Sequence, residues 1–201
     1  MRLLKDKNGK TETEFLREYD VTRYFRPSVT VDAVLYRVTE KGLRILFIER
    51  GGHPFLGKYA FPGGFVEEFE SCEAAVMREL AEETQISGVA LSQLVTVSTP
   101  GRDPRWRNIT VVYHGRVDSE RTARAADDAA NAVWLDVALA EDGTLHVGTG
   151  ENAFVCGLQI VRDEFGKIDL NATKITDSGR LAFDHAKIVA YLIDTVFSKG
   201  V

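Results

Sequence analysis

Residues 64–86 read GFVEEFESCEAAVMRELAEETQI, and the second half of that stretch is helical in pattern. Glu79, Glu82 and Glu83 recur at spacings of three and four, which places them on one helix face. Three carboxylates on one face repel each other, and near a helix C-terminus the macrodipole opposes negative charge further. A solvated face would interleave lysine or arginine, whereas the base nearby is Arg78. A hard divalent cation among the carboxylates resolves the conflict, and Mg²⁺ is the expected ion, with Mn²⁺ as a substitute. Upstream, Phe61-Pro62-Gly63-Gly64 is a turn whose two glycines let backbone carbonyls approach a ligand. Ser71 is positioned to cap the helix, with Glu73 in its first turn. Val76, Met77, Leu80 and Ala81 form its expected apolar side, and Cys72 and Ala75 are expected to leave the carboxylate side uncluttered.

The same stretch resembles the Nudix box: a glycine, five residues, glutamate, seven residues, then Arg-Glu-apolar-any-Glu-Glu-any-Gly-apolar. Gly64, Glu70, Arg78, Glu79, Leu80, Glu82, Glu83 and Ile86 match it, and Gln85 stands where the box has a closing glycine. That glycine ordinarily ends the helix in a left-handed turn, so Gln85 bears on the loop and leaves the acidic positions intact. The chain is thereby identified as similar to the Nudix hydrolases. The resemblance implies an α/β/α sandwich around a mixed central sheet, and metal-dependent hydrolysis of a nucleoside diphosphate linked to another group. Transferred residue by residue, it implies Glu79, Glu83 and the Gly63 carbonyl as metal ligands. Glu82 is a ligand or the base, and Arg78 and Glu70 pair behind the metal.

Composition sets limits on function. The chain has 201 residues, 44% of them hydrophobic, enough for one good core. Its net charge of −5, without a long basic run, argues against nucleic acid as a partner. Glutamates 67, 68, 70, 73, 79, 82 and 83 concentrate acidity in the box. No apolar run is long enough to span a membrane and no leader is evident at the N-terminus. Cys72 and Cys156 have no zinc or redox spacing, which suits a reducing cytoplasm.

Along the chain, residues 1–27 read as a polar tail, a short helix and an arm. Strands are expected at 28–37, 44–50 and 59–61, then 89–98 paired with 108–117, then 131–135. Residues 181–197 have helical periodicity. Between them, 138–180 reads as an insertion carrying a hairpin, 154–162 against 167–174, turned at Asp163-Glu164-Phe165-Gly166. A single domain spanning 28–201 follows.

Beyond the box, several segments resemble the ADP-ribose pyrophosphatase-like members of the family. They are ERGGHPFLGKYAFPGGFVE (49–67), the loop PGRDPR (100–105), DDAANAVW (127–134) and LAFDHAKIV (181–189). This resemblance implies hydrolysis of ADP-ribose to AMP and ribose 5-phosphate, and it is compatible with a homodimer to which the N-terminal arm contributes. Arg102 and Arg105 suit a phosphate or ribose; the alternative is a rigid turn in which Asp103 pairs with an arginine. Trp106 is a candidate to stack on adenine or to pack on the domain. His185 is read as a satisfied helix residue rather than a catalytic one. Asp127 and Asp128 face the metals or cap a turn. Two other functions stay open: an ADP-ribose-sensing, Nudix-related transcription regulator, and a nucleoside triphosphate pyrophosphatase sharing the same metal site.

Overall fold

In a computed structural model of the chain, residues 4–117 and 131–197 are described. Alternation of apolar side chains in the first strand sets up the architecture. In β1 (Ser28–Thr39), Val31, Ala33 and Leu35 point to one face of a mixed sheet, and Val34 and Tyr36 to the other. Strand β2 (Gly42–Glu49) does the same, with Leu46 opposite Ile45 and Phe47.

The other strands are β3 (Tyr59–Ala60), β4 (Gly63–Phe65), β5 (Ser92–Val97), β6 (Asn108–Arg116), β7 (Ala132–Leu139), β8 (Thr144–Val147), β9 (Phe154–Gln159) and β10 (Lys174–Asp177). The sheet runs β10-β9-β8-β7-β2-β1-β6-β5, with β3 added to β2 and β4 to β1. Only the β1–β6 pairing is parallel among the described strands, and it joins Ser28 to Asn108 and Tyr36 to Arg116.

Helix α1 (Glu12–Glu18) starts in a reciprocal cap between Thr11 and Glu14 and buries nothing. Helix α2 (Cys72–Thr84) covers one face of the sheet, packing Ala75, Val76 and Leu80 on Val31, Leu35 and Trp134. Helix α3 (His185–Leu192), prolonged by a π-helical turn at Ile193–Phe197, covers the other with Ile188, Val189 and Leu192. A mixed sheet between helices is thus the observed fold, as expected. No helix among the described residues is long and apolar enough to cross a membrane.

Two local expectations are corrected. Ala75 is fully buried against the sheet, so it belongs to the packing side of α2 and not to the carboxylate side. The hairpin expected from 154–162 and 167–174 reduces to one bridge, Arg162 with Ile168, around the Asp163–Gly166 turn. The ladder partner of β9 is instead β10, beginning at Lys174, with Lys174 opposite Gln159. Ile168 and Leu170 are drawn into the core under α3, which takes the intervening chain off the sheet edge.

Candidate active site

Ser71 accepts a hydrogen bond from the Ala74 N–H at 3.2 Å and starts α2. The helix ends at Gln85, which itself adopts the left-handed conformation at φ 60°, ψ 9° and donates its N–H to the Ala81 carbonyl. The geometry that a glycine would supply is therefore present, carried at some backbone cost by a residue with a side chain.

The last two turns of α2 face β4. Pairing of Asp32 with Gly63 and Val31 with Gly64 fixes that strand on β1. Gly63 is sterically required, because a Cβ there would run into the Val31 backbone carbonyl, whereas one on Gly64 would displace the Glu79 carboxylate. Glu83 accepts the Gly63 N–H at 2.9 Å. Arg78 holds Glu70 through two nitrogens, at 2.6 and 3.2 Å, donates to the Phe65 carbonyl at 3.1 Å and reaches Glu79 at 2.8 Å. It thus staples α2 to the β4 loop while orienting one carboxylate. Glu82 is 60% exposed, 3.4 Å from Arg78.

Electrostatically the cluster is short of cations. Burial pushes the Glu83 carboxyl up to about 7; the Gly63 N–H opposes the shift and the Glu79 charge adds to it. One guanidinium serves Glu70, Glu79 and Glu82, so negative charge is in excess. Among the described residues no three His, Cys, Asp or Glu side chains close into a ready ligand set. The donors are nonetheless hard oxygens, crowded and short of countercharge beside a close-approaching Gly-Gly backbone, and a hard divalent cation fits that chemistry.

Next to the carboxylates lies a cavity of about 220 Å³, lined by Asp32, Arg50, Phe61, Gly63, Gly64, Phe65, Arg102, Arg105, Phe183 and His185, among others. Arg50 also lines a second hollow of about 420 Å³ with Glu82 and Glu83, so its side chain stands between the two. Among the described residues no carboxylate pairs with Arg50; its Nε donates to the Pro54 carbonyl at 2.8 Å. Burial and the nearby charge of Arg105 lower its pKa.

The arginines expected to reach substrate both border this cavity, and both have carboxylate partners. Arg102 makes a two-point pair with Asp184, at 2.6 and 2.9 Å, with its side chain 5% exposed. Arg105 pairs with Asp103 at 2.8 Å, and Asn108 holds the same carboxylate at 2.7 Å. Trp106 is 61% exposed, lies beside Phe25 with ring centroids 5.8 Å apart, and is not in the cavity lining. Asp127 and Asp128 lie outside the described residues.

His185 is buried and stacked on Phe61, with centroids 4.5 Å apart, and its Nδ1 accepts the Phe61 N–H at 3.1 Å. Burial drives its pKa down to about 3, so it is neutral and carries its proton on Nε2. The residues missed by sequence reasoning are Asp32, Arg50, Phe183 and Asp184. Asp32 leaves a signal, as the one acidic residue in the apolar strand SVTVDAVLYR. Burial raises its pKa against the opposing pull of Arg102 and Thr110.

Comparison with known proteins identifies what the chain as a whole is similar to. An ADP-ribose pyrophosphatase of Methanocaldococcus jannaschii is 41% identical over 114 residues, 57% of this chain and 64% of the relative. The ADPR-responsive transcriptional repressor NtrR of Acinetobacter baylyi is 31% identical over 130 residues, 64% of this chain and 52% of the relative. The chain therefore spans less than two thirds of the length of either curated relative. A crystal structure of a MutT/nudix family protein from Enterococcus faecalis aligns with a TM-score of 0.66 at 32% identity, covering 90% of this chain and 67% of that one. A family model described as the NUDIX domain matches residues 26–151, well over half of the sequence, and the chain belongs to that family.

Proposed function

We propose that this chain is a Mg²⁺-dependent Nudix hydrolase that cleaves the pyrophosphate of a nucleoside diphosphate derivative, foremost ADP-ribose, giving AMP and ribose 5-phosphate. The observation that carries the reading is the adjacency of the carboxylate face of α2 and an arginine-bordered cavity, with Arg50 lining both hollows. A polyanionic pyrophosphate is repelled by Glu79, Glu82 and Glu83 alone and is attracted to Arg50. A bound divalent cation supplies Lewis-acid polarisation of phosphoryl oxygen and a more acidic water. The chain's own residues hold the surrounding geometry: Arg78 orients Glu79, the Gly63 N–H orients Glu83, and Glu82, the most exposed of the three, is the carboxylate free to take a proton from water. The relative from Methanocaldococcus jannaschii supports ADP-ribose as the substrate.

The test is hydrolysis of ADP-ribose, NADH, diadenosine polyphosphates, sugar nucleotides and nucleoside triphosphates, with and without Mg²⁺. ADP-ribose should give the highest kcat/KM and no product should form in EDTA. A preference for nucleoside triphosphates would overturn the substrate assignment and favour a house-cleaning pyrophosphatase.

The second reading, an ADP-ribose-responsive regulator, draws on the similarity to the repressor of Acinetobacter baylyi. Against it stands the box, which retains every acidic position. Gel shifts with DNA discriminate the two readings. Negligible binding at physiological salt is expected from the net charge of −5, and a sub-micromolar shift abolished by ADP-ribose would reverse the ranking.

A further inference from the structure

Asp32 lies inside β1 on the face that α3 covers, and it lines the cavity beside the Gly63–Gly64 backbone. Its Oδ2 accepts the Thr110 hydroxyl at 2.6 Å, and the Arg102 guanidinium stands 4.0 Å from the same oxygen. That guanidinium is already committed to Asp184. The other oxygen, Oδ1, faces His185 Nε2 at 3.7 Å, too far for a hydrogen bond. His185 cannot turn to meet it without releasing the Phe61 N–H from its Nδ1. Among the described residues the carboxylate thus takes one hydrogen bond and keeps acceptor capacity towards the cavity.

A buried carboxylate with spare acceptor capacity needs a donor. Phosphate oxygens are acceptors and carry like charge, so the phosphates of a substrate belong at Arg50, which lines both hollows, and away from Asp32. A sugar hydroxyl is a donor without charge. The same wall supplies the partly exposed ring of Phe183, against which the polarised C–H bonds of a sugar can pack. A cavity of about 220 Å³ has room for a pentose.

Resting on the nucleoside diphosphate reading above, we propose that Asp32, held by Thr110, accepts a hydroxyl of the substrate's terminal pentose and so selects diphosphates that carry a second sugar. Asp32 acts in recognition and takes no part in bond cleavage.

The test measures binding apart from turnover: calorimetric titration of ADP-ribose and of ADP, with Ca²⁺ as the cation, into the native chain, Asp32→Asn and Thr110→Val. ADP carries the adenosine and both phosphates but no terminal sugar. Asp32→Asn should weaken ADP-ribose about ten- to a hundredfold and leave ADP within about twofold. Thr110→Val, which leaves the carboxylate in place but loosens its hold, should give a smaller loss of the same selectivity. It carries the test if Asp32→Asn does not fold. Hydrolysis of ADP-ribose in Mg²⁺ is followed separately. Selective loss of ADP-ribose binding with no turnover by the native chain would overturn the hydrolase reading and leave the role of Asp32 standing. Equal losses for both ligands, unchanged affinities, or no binding of ADP-ribose by the native chain would overturn the role of Asp32 whatever the turnover.

Discussion

Arg102 and Asp184 lie 82 positions apart in sequence and meet in a two-point ion pair, with side chains 5% and 9% exposed. The pair joins the loop before β6 to the residue preceding α3, directly over Asp32. Its burial makes it a clamp on the cavity wall, because neither charge can turn to water if the other is removed.

Arg102→Ala should therefore cost about 3–5 kcal/mol of stability, the penalty for leaving one member of a buried pair alone. Arg105→Ala should cost less, since the Arg105 side chain is 43% exposed and the buried Asp103 carboxylate it leaves keeps hydrogen bonds from the backbone N–H of residue 105 and from Asn108. It should act on substrate binding by raising KM for ADP-ribose. Urea unfolding of both variants beside steady-state kinetics separates the two arginines. Equal stability losses would show that Arg105 is structural as well.

Glu79→Gln and Glu83→Gln should each reduce turnover at saturating Mg²⁺ by about a hundredfold or more, because each removes a charge from the proposed cation site. The amide oxygen that Glu83→Gln introduces can still accept the Gly63 N–H, so folding of that variant should be retained. Melting curves confirm the fold, and near-native turnover in both variants would refute the metal-site assignment.

The Glu83 carboxyl, raised from an ordinary 4.5 to about 7, imposes a pH dependence with a definite sign. Between those values the folded state holds a proton that the unfolded chain has released. Its contribution is complete below the lower value and is lost as pH rises through about 7. The metal-free protein should lose on the order of 2–3 kcal/mol from this group between about pH 5 and about pH 8. Glu83→Gln should flatten that part of the profile. Divalent cation affinity should rise over the same window, since cation and proton compete for one carboxylate. Denaturant titrations in EDTA across this range, paired with calorimetric cation binding, check both slopes.

Gln85 occupies the left-handed region at φ 60°, where a side chain costs about 1–2 kcal/mol relative to glycine. Gln85→Gly should recover about 1 kcal/mol after the added freedom of the unfolded chain is deducted, with activity unchanged. Thermal unfolding and an ADP-ribose assay are sufficient to check it.

The sequence by itself determined the features that depend on local periodicity. Alternation in residues 28–37 dictated a two-faced strand, and spacings of three and four put Glu79, Glu82 and Glu83 on one side of α2. Ser71 capped that helix, and Gly63 and Gly64 permitted the close approach of β4. What only the tertiary structure decided was where buried charge finds its partner. Asp32 meets Thr110 across 78 positions, and Phe61 donates to His185 across 124. Nothing in the spacing of one segment encodes such pairings, because they arise when β1, β6 and the start of α3 pack around one cavity. The same cause gave Arg102, expected at a substrate phosphate or ribose, a buried carboxylate partner in Asp184. It also set β9 against β10 and not against residues 167–173, since burial of Ile168 and Leu170 under α3 outweighed continuation of a local hairpin.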